Sequence, residues 1–169
     1  MTTVTEEWVG IEGFPGYSVN PLGQVRKDST GRVLHIRLNQ YGVPYVGLMR
    51  EGRRHQCVRS LPRLVAAAFV PQPNDVFDTP INLNGDRTDC RVENLMWRPR
   101  WYAIYYVNQF KDRYDNPING TIVDTDTDDE YPNSLAVACA NGLLERDVVL
   151  SILNHTLTWP TYQQFVLAD

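Results

Sequence analysis

The sequence predicts an α+β fold: small antiparallel strands at the front, a strand–turn–helix centre, and a helix-turn-helix-like unit at the end. Three observations carry this expectation. Glycine or proline recurs every few positions between Gly10 and Gly23, which breaks helices and sets turns. Residues 79–83 read as a strand that enters an Asn84-Gly85 turn, with a short helix from about Val92. Two short apolar helical stretches flank Asn141-Gly142, a helix-ending signal followed by a tight turn.

Each element follows from local chemistry. Tyr17, Val19 and Val25 suit strand positions on either side of a turn at residues 20–23. Residues 33–38 and 45–49 continue as strands, and Glu51-Gly52 turns the chain into a further strand over 55–58. Residues 61–70 form a short apolar helix. Pro62 suits its first turn, where a missing N–H costs nothing, and residues 71–74 end it. The spacing of Ile104, Val107 and Phe110 predicts a helix over 101–110 with those residues on its apolar side. Residues 118–123 read as a strand.

Residues 124–130, all acidic or threonine, read as a linker held in solvent by like-charge repulsion. That stretch lacks the sharp-turn glycine and closing glutamate of a calcium loop. Helices over 135–140 and 145–153 follow, the second with Val148, Val149 and Ile152 on its apolar side, and residues 165–167 close the chain as an apolar tail. The expected divisions are therefore 1–60, a strand-rich module; 61–113, a central domain; 114–131, a strand and acidic linker; and 132–169, a helix-turn-helix-like unit.

Composition bounds the function. A hydrophobic fraction of 43% and a charged fraction of 21% over 169 residues are those of a soluble globular chain. No apolar run is long enough to cross a bilayer, so no membrane partner is expected. The start, Met1 to Glu7, has no basic segment followed by an apolar core, so a cytoplasmic location is expected. The three cysteines, Cys57, Cys90 and Cys139, contain no C-x-x-C pair. Neither a structural zinc site nor a disulfide framework is expected.

Charge is divided. Residues 1–113 hold 15 basic and 11 acidic residues, a net of +4, whereas 114–169 hold one arginine against nine acids, a net of −8. The front suits phosphate and the rear does not. Nine of the 15 front basic residues lie in 26–63: Arg26, Lys27, Arg32, Arg37, Arg50, Arg53, Arg54, Arg59 and Arg63. Arg87, Arg91, Arg98 and Arg100 surround the central turn. Arginine-rich ribbons of this kind track phosphates, and all thirteen are candidate contacts to double-stranded DNA. Arg146 lies between Glu145 and Asp147, which makes the second tail helix a poor reader of DNA.

Three segments, in order, carry a resemblance. Trp8-x-x-Ile11-x-Gly13-Phe14-x-Gly16-Tyr17-x-Val19-Asn20-x-x-Gly23-x-Val25-Arg26 is similar to a small module found ahead of some nuclease domains. Arg63-Leu64-Val65-Ala66-Ala67-Ala68-Phe69 is similar to the helix that enters such domains. Asn82-Leu83-Asn84-Gly85-Asp86 through Arg91-Val92-Glu93-Asn94-Leu95-Met96-Trp97 is similar to the ββα-metal segment itself. Together they resemble phage-type HNH homing endonucleases, which implies an HNH-like ββα-metal core at the centre of the fold.

The resemblance also marks departures. The family pattern is (D/N)-H-x-(D/N)-G-x-x-x-(D/N)-N-R-x-E-N-L-x-W. Leu83 stands at the general-base histidine, Cys90 at the loop-ordering asparagine, and Pro62 at the histidine before the entering helix. The metal positions implied by the family fall on Asn82 and on Asn94, the latter expected on the following helix. Two neutral amides bind Mg²⁺ poorly beside a carboxylate, and a lost general base costs on the order of 10²–10⁴ in rate. Neither catalytic residues nor metal ligands are expected, and Mg²⁺ enters only if activity remains. His55 is the substitute base to consider, with Asp86 and Asp89 as carboxylates; a surface histidine and turn-stabilising acids are the simpler readings.

Three functions follow, in this order. The first is a catalytically inactive, phage-encoded HNH-like protein that binds double-stranded DNA. The second is a protein-binding module that captures a host or phage protein through the acidic rear part. The third is a residual metal-dependent nicking endonuclease.

Overall fold

The computed structural model describes residues 7–168, and the chain forms two compact units. The stretch read as lacking a signal peptide, Met1 to Glu7, lies outside the described residues except for Glu7. Unit one comprises Met1–Asn82 and Asp86–Arg100; unit two comprises Leu83–Gly85 and Trp101–Asp169.

Unit one begins with four short antiparallel strands in sequential order: β1 (Val9–Gly10), β2 (Tyr17–Val19), β3 (Val25–Lys27) and β4 (Arg32–Val33). The turn between β2 and β3 closes on itself. Buried Asn20 accepts from the Gln24 backbone N–H through its side chain at 2.8 Å, and its amide donates to the Gln24 side chain at 2.8 Å. A second sheet contains β5 (Arg37–Leu38), β6 (Pro44–Met49) and β7 (Gln56–Ser60). The single strand expected over 33–38 is thus divided between two sheets. In β6 the alternation of buried Pro44, Val46 and Leu48 with less buried neighbours is the period-2 pattern of a one-faced strand.

Helix α1 (Leu61–Phe69) follows without a break, with Pro62 in its first turn as expected. Leu61, Val65 and Ala66 are buried, and α1 packs against β6, β7, β8 (Thr79–Asn82) and β9 (Leu95–Arg98). The core of unit one joins Phe14, Val19, Val25, Val46, Leu48, Val65, Leu95 and Trp97. Buried Trp97 donates its indole N–H to the Val70 carbonyl at 2.9 Å, fixing the end of α1 to β9.

The expected helix from Val92 is a single 3-10 turn over Val92–Asn94, and strand β9 takes over at Leu95. Buried Leu95 and Trp97 flank less buried Met96, so the pattern there is that of a strand.

Unit two contains nearly all of helix α2 (Arg100–Asn108), then β10 (Asn119–Asp124), β11 (Glu130–Asn133), α3 (Ser134–Asn141), α4 (Glu145–Asn154) and β12 (Phe165–Leu167). The buried side of α2 is Tyr102 and Tyr106, not Ile104, which is 54% exposed. An i, i+4 tyrosine pair placed its rings inward and satisfied its hydroxyls there: Tyr102 accepts from the Leu144 N–H at 2.9 Å.

The expected linker is instead a hairpin turn. β10 pairs with β11 on one side and β12 on the other, so the expected apolar tail is a strand. Asp124 is fully buried; its carboxylate accepts from Gln163 at 2.6 Å and from the Asp126 N–H at 2.9 Å. These bonds offset the desolvation that like charges alone could not. The division expected at residue 131 is absent, because α3 packs on β10 and β11 and α4 packs on β12. The helices themselves match expectation. Asn133 caps α3 by accepting from the Ala136 N–H at 2.8 Å, and Gly142 ends it at φ 63°. Ile122, Val137, Leu143, Val148 and Phe165 form the core of unit two.

Candidate active site

Within unit one, β8 and β9 pair antiparallel from Thr79–Arg98 to Asn82–Leu95. Asn82 therefore closes the ladder, and the loop that follows returns through Asp86 to Asn94. Asp86 accepts from the Thr88 hydroxyl at 2.6 Å and the Thr88 N–H at 2.9 Å. Those two bonds, the hydroxyl foremost, hold its carboxyl below the usual range. Asp89 takes a bidentate pair from Arg91, Nε at 2.9 Å and Nη2 at 2.8 Å. The Asp89 bond and charge, with Glu93 at 3.4 Å, raise the Arg91 guanidinium further above its ordinary range. Both acids thus stabilise the turn, the simpler of the two readings.

The two amides expected as metal positions converge on one backbone atom. Asn82 and Asn94 each donate a side-chain N–H to the Asp89 carbonyl at 2.9 Å. Asn94 is 7% exposed and lies in the 3-10 turn before β9, not on the helix that follows it. The expected helical placement of Asn94 is therefore corrected: α2 begins only at Arg100, after β9. That helix carries no carboxylate or imidazole, and its one amide is Asn108 at its end.

Cys90 is 4% exposed, with Sγ 3.7 Å from the Arg87 carbonyl. Burial first, then the charges of Asp89 and Asp86, push its thiol up to about 12. It is a neutral packing residue. The turn after β2 fits against it. A Cβ on Gly23, at φ 80°, would meet the Cys90 carbonyl oxygen at 3.2 Å, and the Val92 N–H donates to the Pro21 carbonyl at 2.9 Å. The small front module and the hairpin loop are thus one packed structure.

Within unit two, the short turn Leu83–Gly85 is held by α2 and its extension. Tyr106 donates its hydroxyl to the Leu83 carbonyl at 2.6 Å. Gly85 has φ 78°, and a Cβ there would lie 2.6 Å from the Phe110 ring. Leu83 supplies no acid–base group. Tyr106 and Phe110 were not singled out as site residues in sequence; the i, i+4 spacing of Tyr102 and Tyr106 was the available signal.

His55 is exposed beside the tip of the β6–β7 hairpin. A strand of this length carries it roughly 15 Å from the Ser60–Leu61 junction with α1. Among the described residues, no three His, Cys, Asp or Glu side chains gather as a metal-ligand set. Two neutral amides, an apolar side chain at the base position and two acids committed to the turn make a weaker donor set for a hard divalent cation than a carboxylate at these positions would.

The basic residues divide by environment. Arg98 is corrected: it is 5% exposed and its guanidinium donates to the Trp97 carbonyl, so it faces no phosphate. Arg26 pairs with Asp28 at 3.4 Å and lies 4.3 Å over Trp8. Arg50 and Arg59 both lie over the buried Phe14 ring, at 5.3 and 4.9 Å. Arg63 donates to the Asp78 carbonyl, and Arg87 to that of Tyr41. Among the described residues, exposed Lys27, Arg32, Arg37, Arg53, Arg54 and Arg100 enter no ion pair. All six belong to unit one, which holds 13 basic and ten acidic residues; unit two holds three and ten.

Known proteins bear on this arrangement. Residues 6–49 match the NUMOD4 motif. A 100-residue stretch, 57% of the chain, is 33% identical to a protein of Acanthamoeba polyphaga mimivirus named uncharacterized HNH endonuclease L247. The match spans only 25% of that relative's length. The HNH homing endonuclease I-HmuI, in a structure describing its DNA binding and cleavage, matches with a TM-score of 0.53 over 96% of this chain and 98% of that one. At 21% identity that likeness is one of fold. By its front motif, its sequence likeness and its fold, the chain is similar to HNH homing endonucleases.

Proposed function

We propose that this chain binds double-stranded DNA through unit one and does not cleave it. The observation that carries this reading is the shared donation of Asn82 and Asn94 to the Asp89 carbonyl beside a leucine at the base position. Hydrolysis of a phosphodiester by this fold needs a cation on the phosphate and a base for the water. The base position holds Leu83, which takes no proton, and the cation positions hold neutral amides, poorer ligands for Mg²⁺ than a carboxylate. Binding needs neither. It needs cations able to replace counterions on the backbone, and Lys27, Arg32, Arg37, Arg53, Arg54 and Arg100 are exposed for that. The motif order, similar to phage-type enzymes, supports a phage genome as the source.

Fluorescence anisotropy with a labelled duplex tests the binding half. Wild-type protein is expected to bind with an affinity that falls steeply between 50 and 200 mM salt, as counterion release requires. Affinity indifferent to salt, or no binding at low salt, would overturn it.

A further inference from the structure

Unit two carries a cleft of about 540 Å³ between α2 and the start of α4, with no part in the DNA-binding reading. Its walls include Trp101, Tyr105 and Tyr114, and four carboxylates, those of Asp112, Asp115, Glu145 and Asp147, against two arginines, Arg113 and Arg146. Glu145 is the notable wall residue. Its side chain is 2% exposed, and Oε1 accepts from Ser134 at 2.8 Å. Its Oε2, also buried, accepts no hydrogen bond. The nearest cation is Arg113, more than half exposed, at 3.7 Å.

A buried carboxylate oxygen without a donor is costly, and folded chains retain few of them. Arg113 is too distant and too solvated to satisfy it, but it shows the kind of group the oxygen attracts. The first turn of α4 adds partial positive charge, yet Glu145 and Asp147 on that same turn leave the wall net negative. Burial, partly countered by Arg146, raises the Asp147 carboxyl, a sign of negative charge held out of water without a full partner. Trp101 stacks on Trp159 at 5.3 Å and meets Tyr105 edge-on at 6.5 Å, yet the two residues keep 54% and 60% of their surface exposed. Aromatic rings beside carboxylates make the lining that receives a planar or alkylated nitrogen cation, by charge and by cation–π attraction together.

We propose that this cleft is a binding site for a guanidinium group, which lies beside the exposed aromatic rings and donates to Glu145 Oε2 in place of Arg113. The fork of N–H donors on a guanidinium suits a carboxylate oxygen that already has one partner on its other side. Two sources share this chemistry, a free small guanidine and an arginine side chain displayed on a peptide.

The test uses the full chain, ¹⁵N-labelled, titrated with L-arginine amide, with L-citrulline amide, whose side chain is the neutral isostere, and with a short capped peptide holding one arginine between glycines. Saturable shifts confined to residues of α2 and the start of α4, given by arginine amide and not by citrulline amide, are expected. Glu145→Gln should weaken binding about ten-fold or more, the loss of one charge-assisted hydrogen bond. Because Glu145 also bonds Ser134, Tyr105→Ala on the exposed ring serves as the second variant, with weakening of several-fold expected. Tighter binding of the peptide assigns the site to a displayed arginine, and equal or tighter binding of the free amide assigns it to a small guanidine. Equal shifts with citrulline amide, or wild-type affinity in both variants, would overturn the proposal.

Discussion

Asn82 and Asn94 donate to the same acceptor, the Asp89 carbonyl, each at 2.9 Å. One residue ends β8 and the other ends the 3-10 turn before β9, so a single oxygen ties the two sides of the loop together. Both amides thus hold the loop backbone.

A shared acceptor has a thermodynamic signature. Asn82→Ala or Asn94→Ala leaves one donor on the Asp89 carbonyl and is expected to cost about 1 kcal/mol. The double variant leaves it with neither. Its cost should exceed the sum of the singles by roughly 1 kcal/mol, as coupled residues show. Urea unfolding of the four proteins measures this, and strict additivity would separate the two bonds.

Gly85 is required twice over. Gly85→Ala meets a left-handed backbone, at about 1–3 kcal/mol. It also drives a methyl into the Phe110 ring, at about 1–3 kcal/mol more. Phe110→Ala in the Gly85→Ala background should remove the steric share and leave the backbone share. Thermal unfolding of the pair reads the difference.

Cys90 predicts a pH dependence. Its folded-state pKa, near 12, lies above the ordinary thiol value, so the folded chain holds the proton longer than the unfolded one. The resulting stability is fully present below about pH 8.5, the ordinary thiol value, and is lost progressively towards pH 12. Relative to Cys90→Ala, wild type should lose on the order of 1 kcal/mol per pH unit across that window. In the folded protein, alkylation should reach half-buried Cys57 well before Cys90.

The arginines should separate by environment. Arg53→Ala with Arg54→Ala should lower duplex affinity and reduce the salt slope by roughly two. Arg91→Ala should change the slope less, because Asp89 and Glu93 already neutralise that guanidinium. Arg98→Ala should reduce stability in place of affinity, since its guanidinium is buried. Anisotropy across a salt series, with unfolding alongside, checks all three.

Much of unit one was legible because its signals are local. The turn at Asn20 to Gly23 and the Pro62 helix start depend on residues within a few positions of one another. Elements set by distant partners were not legible. β9 hides because Leu95-Met96-Trp97 suits a helix or a strand until Pro80 and Ile81 pair with it. The acidic turn hides because Asp124 is satisfied by Gln163, 39 residues away. In the site, Leu83 and Cys90 were visible as departures. The shared carbonyl, Tyr106 beneath the turn and the burial of Arg98 required the fold.

Binding without cleavage is tested most directly on supercoiled plasmid. The protein is added at a concentration that shifts all of the plasmid in a gel, then incubated with Mg²⁺ or Mn²⁺ and stripped of protein. The plasmid is expected to stay supercoiled, as in a metal-free control. Nicked circles that appear with metal and vanish in Asn94→Ala would contradict the account, because Asn94 would then be serving a cation.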